Sequence, residues 1–386
     1  MNLQNAKAPH IRYKESVHTL FTDVIIALLP LYAMAYFYYG PRTVIMALAA
    51  VVVCYPLDLL CRRMAGKVIK INDFSGVLTG LIIPLMLPAS APYYVVVAAC
   101  LFAILIAKHP FGGLGYNLFN PAAAGIAFVT ACWPDAMFRY PKPFEHIPVI
   151  LDSSVELFAS PASALKVNGA PSGDILQMFL GNSLGPMGAT SILVILSCLF
   201  FLLFRRTVSW HIPVSALAAA GLFALLFPRV SISLFSSTVY ELFAGTLVFG
   251  AAFVATDPVT SPSFPMAKVL YGAGIGLLTM LLRWFGGYEE GFIYALLIMN
   301  ALAFALDRLA IWVRYDLRSG RVPIQRVKAA AMGILEHREH KKIVITAAAS
   351  SDTPESAEPE EPSEPMEAPD EAVKEETTAK GGGRHD

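Results

Sequence analysis

The sequence predicts an all-α polytopic membrane protein of about ten transmembrane helices in two inverted five-helix repeats. Three observations predict it. Of 386 residues, 56% are hydrophobic and only 15% charged, a balance that a water-soluble domain cannot bury. Apolar stretches long enough to cross roughly 30 Å of hydrocarbon recur along the chain. The segment order of the first half also returns about 174 positions later: Phe111-Gly112-Gly113 follows one apolar helix, and Phe285-Gly286-Gly287 follows another. Each half has an odd number of helices, so a repeated half is inverted in the bilayer. Two similar hydropathy profiles without a structural repeat are the plainer alternative.

The first five spans are expected at about 20–39, 43–60, 75–91, 93–108 and 119–133, making a repeat of residues 1–133. Residues 134–188 form the one long interhelical loop. Five further spans, at about 189–204, 210–227, 240–255, 268–284 and 291–313, make the second repeat, residues 189–313. Basic residues orient the bundle. Lys7, Arg12, Lys14, Arg62, Arg63, Lys67, Lys70, Lys108, Arg205, Arg206, Lys268, Arg314, Arg318 and Arg321 fall on one side. Arg42, Arg139, Lys142, Lys166, Arg229 and Arg283 fall on the other. By the positive-inside rule both termini are cytoplasmic and the 134–188 loop is extracytoplasmic. Residues 314–342 form a basic juxtamembrane segment suited to anionic lipid. Residues 343–386, rich in Glu, Pro, Ser and Ala, read as a disordered acidic tail. A formal net charge of zero points to no nucleic acid, and the five cysteines, none in a Cys-x-x-Cys pair, read as small core residues. No metal-ligand spacing is present.

Two segments carry unusual chemistry. Residues 108–122 hold three glycines, the amides of Asn117 and Asn120, and Pro121 in position for a helical first turn. Irregular backbone at membrane depth needs protein or a wet cavity to satisfy it, so Asn117 and Asn120 are candidate ligand donors. An ordinary loop with Asn120 as a helix cap is the other reading. Residues 255–262 set Thr256, Asp257 and Thr260 where a helix stops; a carboxylate there needs partners, and either a ligand or local turn chemistry supplies them. Asp58 and Asp307 are candidates for a cation pathway, although Arg62 one turn after Asp58, and Arg308 beside Asp307, each offer a simple ion pair. The extracytoplasmic loop has no Ser/His/Asp set and no phosphate-cradling glycine loop. It does offer hydroxyls at Ser160 and, where the sixth span begins, at Thr190.

The strings Ala8-Pro9-His10-Ile11-Arg12, Phe-Gly-Gly-Leu-Gly-Tyr-Asn-Leu-Phe-Asn-Pro-Ala at 111–122 and Ala-Thr-Asp-Pro-Val-Thr-Ser-Pro at 255–262, with residues 286–291 and 299–301, resemble the NqrB/RnfD family over roughly residues 8–313. Within it the chain looks closer to RnfD, since Pro9-His10 lies almost at the start. The resemblance implies one member of a six-subunit Rnf complex in the bacterial cytoplasmic membrane, relaying electrons between ferredoxin and NAD coupled to Na+ or H+ movement. It also implies covalent FMN on a loop hydroxyl and a second, noncovalent flavin such as riboflavin. The family attachment segment usually reads Asp-x-x-Thr-x-Ala-Thr-Pro-Leu. Its match here, Ser154 to Ala162, puts Ser160 at the acceptor threonine and lacks the leading acid. Thr190 is the second candidate acceptor. An NqrB-like subunit of a sodium-pumping NADH:quinone oxidoreductase, a solute or ion transporter, and a flavin-free scaffold are the competing readings.

Overall fold

The computed structural model describes residues 17–66, 74–150, 155–167, 169, 171, 173–230 and 233–314. The string at 8–12, most of the basic juxtamembrane segment and the acidic tail lie outside the described residues. Among the described residues the chain is helical, with one isolated antiparallel bridge between Tyr140 and Phe158 and no strand.

Four helices are long and apolar enough to cross a membrane: α1 (Val17–Tyr39), α2 (Arg42–Met64), α13 (Pro265–Phe285) and α14 (Phe292–Trp312). A fifth candidate is broken into α11 (Leu234–Phe243) and α12 (Leu247–Phe249), the latter running on as a π-helix, Gly250–Val254, with a bend of 64° at the break. Shorter apolar helices fill in the rest: α3 (Ser75–Leu85), α4 (Tyr93–Phe102) with a π-helical end at Ala103–Lys108, α5 (Pro121–Cys132), α9 (Ile192–Phe204) and α10 (His211–Leu226). Three small helices, α6 (Pro134–Met137), α7 (Pro161–Lys166) and α8 (Ile175–Leu180), occupy the long loop. Among the described residues the fold is thus that of a helical membrane protein with four or five full-length candidate spans.

The short and broken segments have local causes. The stretch expected to be helical over 75–91 stops at Leu85, next to Pro84 and ahead of Pro88, and the chain turns away. Two of its freed carbonyls and one from the long loop are met by a buried cation: Arg42 donates from Nε to Ala89 O at 2.9 Å, from Nη2 to Ala91 O at 2.8 Å and from Nη1 to Val149 O at 2.7 Å. Arg42 is 1% exposed. Replacing it by methionine strands three carbonyls, and a loss of about 3 kcal/mol is expected. Thermal unfolding of the purified protein measures it, and an unchanged transition would mean that other donors reach those oxygens.

The break between α11 and α12 is built the same way. Gly245 has φ +72°, a conformation that favours glycine. The orphaned carbonyls of Glu241 and Ala244 accept from Arg283 Nη1 and Nη2 at 2.6 and 2.8 Å. On the far side of the break, Thr246 N and Oγ1 both donate to Glu290 at 2.9 Å. In a medium without water, side chains must replace the missing turn.

Small residues set the closest helix contact, α10 against α13. Gly272 and Gly276 lie one turn apart on α13, and a Cβ on Gly276 would overlap the carbonyl oxygen of Ala216 in α10. This is the close backbone approach that helices without a hydrophobic drive between them rely on. Elsewhere α2, α9 and α14 present bulky apolar side chains outward, among them Val52, Phe204 and Phe304, as lipid contact requires.

Candidate functional site

The π-helical end of α4 delivers Lys108 into the interior, where it is 1% exposed. Beyond it the chain reverses through Gly112, Gly113 and Gly115, at φ +115°, +79° and +90°. The Asn117 amide, oriented to suit its neighbours, donates to Lys108 O at 3.2 Å and Gly113 O at 2.7 Å. Asn120 then starts α5: its Oδ1 accepts from Ala123 N at 3.2 Å. Its other end reaches across the molecule, Nδ2 donating to Val254 O at 3.3 Å and Asp257 Oδ2 at 3.4 Å. Helix cap and cross-segment tie are therefore one residue's two roles.

The second segment arrives at the same place by the same device, since the π-helix Gly250–Val254 leads directly into Thr256 and Asp257. π-Segments inside α-helices are frequent at functional sites. Thr256 donates to Ala252 O at 2.8 Å. Asp257 accepts from Val259 N at 3.3 Å and Thr260 Oγ1 at 3.2 Å, the local turn chemistry expected of it. Burial pushes its carboxyl above the ordinary range, against the pull of those two donors and of the Lys108 charge.

Lys108, Asn117, Asn120, Thr256 and Asp257 line one cavity of about 60 Å³. Ser75, Thr79 and Thr207 add hydroxyls; Phe21, Leu78, Ile82 and Phe253 supply apolar wall. A mostly apolar slot with a few converging polar groups is the usual form of a small-molecule site. Thr260 is buried behind Asp257 and does not line it. Thr207 ties the wall to α1, donating to Asp23 Oδ2 at 2.8 Å beside the Asp23–Arg205 pair at 3.1 Å. Sequence reasoning gave no site role to Lys108, Ser75 or Thr207; a lysine in an apolar run just before the glycines was the available signal.

Asp58 lies beside this cavity, against Lys108 of its wall, and is 1% exposed. Arg62 Nη2 is 2.6 Å from Oδ2, and Lys108 Nζ and His109 Nε2 are each 2.8 Å from Oδ1. Lys108 Nζ also donates to Ser75 Oγ at 2.8 Å. The Arg62 pair is the one anticipated; the other two bases come from α4 and its loop. A cation entering here would meet charge of its own sign. Asp307 is engaged differently, accepting from Ser263 N at 3.0 Å and Phe264 N at 3.1 Å and so capping the start of α13, while Arg308 lies 5.6 Å over the Phe304 ring.

The two candidate acceptor hydroxyls lie in the long loop and at its end. Ser160 is 4% exposed and caps α7, accepting from Ser163 N at 3.1 Å. Its neighbours Ala159 and Ser163, but not Ser160 itself, line an open cavity of about 400 Å³ whose wall also includes Phe138, Arg139, Phe158 and Glu289. Thr190 is buried and donates to Met187 O at 3.3 Å, one residue before the α9 cap.

Residues 4–315 match the family described as NQR2, RnfD, RnfE. The chain belongs to that family. It is 34% identical over 315 residues to the D subunit of a Na+-translocating ferredoxin:NAD+ oxidoreductase complex from Acetobacterium woodii, covering 80% of this chain and 93% of the relative. It is 32% identical over 324 residues to the D subunit of a proton-translocating ferredoxin:NAD+ oxidoreductase complex from Clostridium ljungdahlii, covering 81% and 96%. The D subunit of an ion-translocating oxidoreductase complex from Alcanivorax borkumensis is 32% identical over 331 residues, covering 80% and 95%. The NQR2, RnfD, RnfE match takes in both cavities and the whole described helical region.

Proposed function

We propose that this chain is the D subunit of an Rnf-type complex in the bacterial cytoplasmic membrane, carrying flavin and relaying electrons between ferredoxin and NAD as Na+ or H+ is moved. The family supports the complex; the meeting of residues 108–122 with 255–262 around one slot supports the flavin. The slot's lining suits a flat, weakly polar ring system: the oxygens of Asn117, Thr256 and Asp257 can accept a ring N–H, and Asn120 ties Asp257 in place. Bound there, a flavin would supply the electron transfer. The protein's share is to orient the ring between apolar walls and to set the charge around it through Lys108 and Asp257.

Ser160 is the first choice for covalent FMN and Thr190 the second. The open cavity lined by Ala159 and Ser163 next to Ser160 offers Arg139 as a phosphate partner and Phe138 and Phe158 as ring contacts; an ester on the Ser160 oxygen would have to turn out of the α7 cap to reach it. We also read the bundle as ten crossings in two inverted sets of five, α1 to α5 and α9 to α14, with α3 matching the broken α11–α12 and a Phe-Gly-Gly turn after the fourth member of each. Both termini are then cytoplasmic.

The test is in-gel fluorescence of the denatured chain made with its flavin transferase: Ser160→Ala should remove the band and Thr190→Ala should keep it. Flavin released from the native complex on denaturation reports the inner slot. Asn117→Ala is expected to weaken its retention about tenfold, the worth of ~1.4 kcal/mol. A purified complex in which no flavin belongs to this chain would leave a transporter or scaffold.

A further inference from the structure

A second concentration of buried charge lies where α11 breaks, near the C-terminal end of α5. The inner slot is at the N-terminus of that helix, so its 12 residues, about 18 Å of rise, separate the two. Glu241, Glu289 and Glu290 meet Arg229 and Arg283 here, three carboxylates against two guanidinium groups. The carboxylates and Arg283 are each no more than 8% exposed, and the Arg229 side chain is 4% exposed. Both cations are committed. Arg229 Nε is 3.4 Å from Glu241 and Arg283 Nη1 3.7 Å from it, while Arg283 Nη2 is 3.8 Å from Glu290.

Glu289 is the carboxylate left over. Ser160 and Ser163 of α7 stand beside it, and its Oε1 is buried with no hydrogen-bond partner among the described residues. Its side chain forms part of the wall of the outer cavity. The other charged groups facing this place offset one another or lie away from it: exposed Asp135 and Arg139 stand at the cavity wall, and Lys166 donates to Gly287 O. Tyr140, buried, adds only a neutral phenol.

An ionised carboxylate with one bare oxygen, buried beside a second carboxylate, is among the more costly arrangements in a protein. Taking up a proton removes the excess charge. We infer that Glu289 is a proton-exchange site, binding H+ from the outer cavity and giving the buried Glu/Arg cluster its charge balance. Burial, with the neighbouring Glu290 charge adding to it, raises this carboxyl to about 7, so the site fills and empties around neutrality. The inference stands on the bare chain and does not require flavin at Ser160; fluorescence and proton occupancy are separate readouts.

Dicyclohexylcarbodiimide, which attacks protonated carboxyls in apolar surroundings, is the probe. The intact complex is treated at a series of pH values from about 5 to about 9 at fixed salt, and modification of Glu289 is read by peptide mass spectrometry. Modification is expected at the acid end and should fall at least tenfold at the alkaline end, with its midpoint near 7. Glu289→Gln, which keeps the shape and an acceptor oxygen without the carboxyl, should lose this adduct. The wild-type profile needs no variant, so a variant that fails to assemble does not rescue the idea. An assembled complex with no adduct at Glu289, or with an adduct independent of pH, overturns it. Suppression by added sodium at constant pH overturns it too, by assigning the site to a metal cation.

Discussion

Asp58→Ala is expected to destabilise the protein by about 3–5 kcal/mol, the cost of removing one partner from a buried ion network. This one carboxylate lies within 2.8 Å of three bases, Arg62, Lys108 and His109. Lys108 is 1% exposed, so water cannot stand in for the lost charge. Without Asp58 the ammonium keeps its contact with Ser75 but loses its ion pair, and Arg62 loses its 2.6 Å partner. Asp58→Asn keeps an acceptor without the charge and should fall between. Thermal unfolding of the purified complex measures both, and wild-type behaviour from the alanine variant would mean that the three bases are discharged or solvated some other way. The same variant tests the pathway role for Asp58, since altered sodium or proton dependence in a complex of normal stability would favour it.

The second large effect is expected from Gly276→Leu. The glycine faces α10 so closely that even a methyl group would overlap Ala216 O and press on Ala220 N at 3.0 Å. Leucine must drive the two helices apart or rotate α13, and a cost of about 3 kcal/mol follows from overpacking. Because α13 also carries Arg283, the shift would loosen the α11 break, where that guanidinium holds two carbonyls. Gly287→Ala is the control, as a Cβ there meets nothing within 4 Å. Equal yields and equal melting for both variants would show that α10 and α13 are not held by backbone approach.

Hydropathy made the membrane class plain, and local chemistry made the two polar segments plain. Their juxtaposition was not legible, because Asn120 and Asp257 are 137 positions apart and only the fold brings them within 3.4 Å. Window averages also pass smoothly over Pro84, Gly245 and the π-segments, so expected spans at 75–91 and 240–255 read as continuous where the chain bends or breaks. Ser160 was legible as a hydroxyl in a matching motif; its second role, capping α7, emerges only with the helix that follows it. Glu289 and Glu290 were visible as a doublet in a glycine-rich turn. What made them chemistry, two arginines from other segments and the serines of α7, was not.

The two π-segments have a mechanical consequence. Each packs one more residue into its turn than an α-helix holds, so Lys108 and Asp257 both sit at the end of a stretch with slack in its register. Letting that slack migrate by a single position would swing the residue beyond it through about 100° without melting a helix or moving its ends. Two such ratchets facing one slot, one steering an ammonium and the other a carboxylate, allow the electrical lining to be re-dealt while the bundle around it stands still.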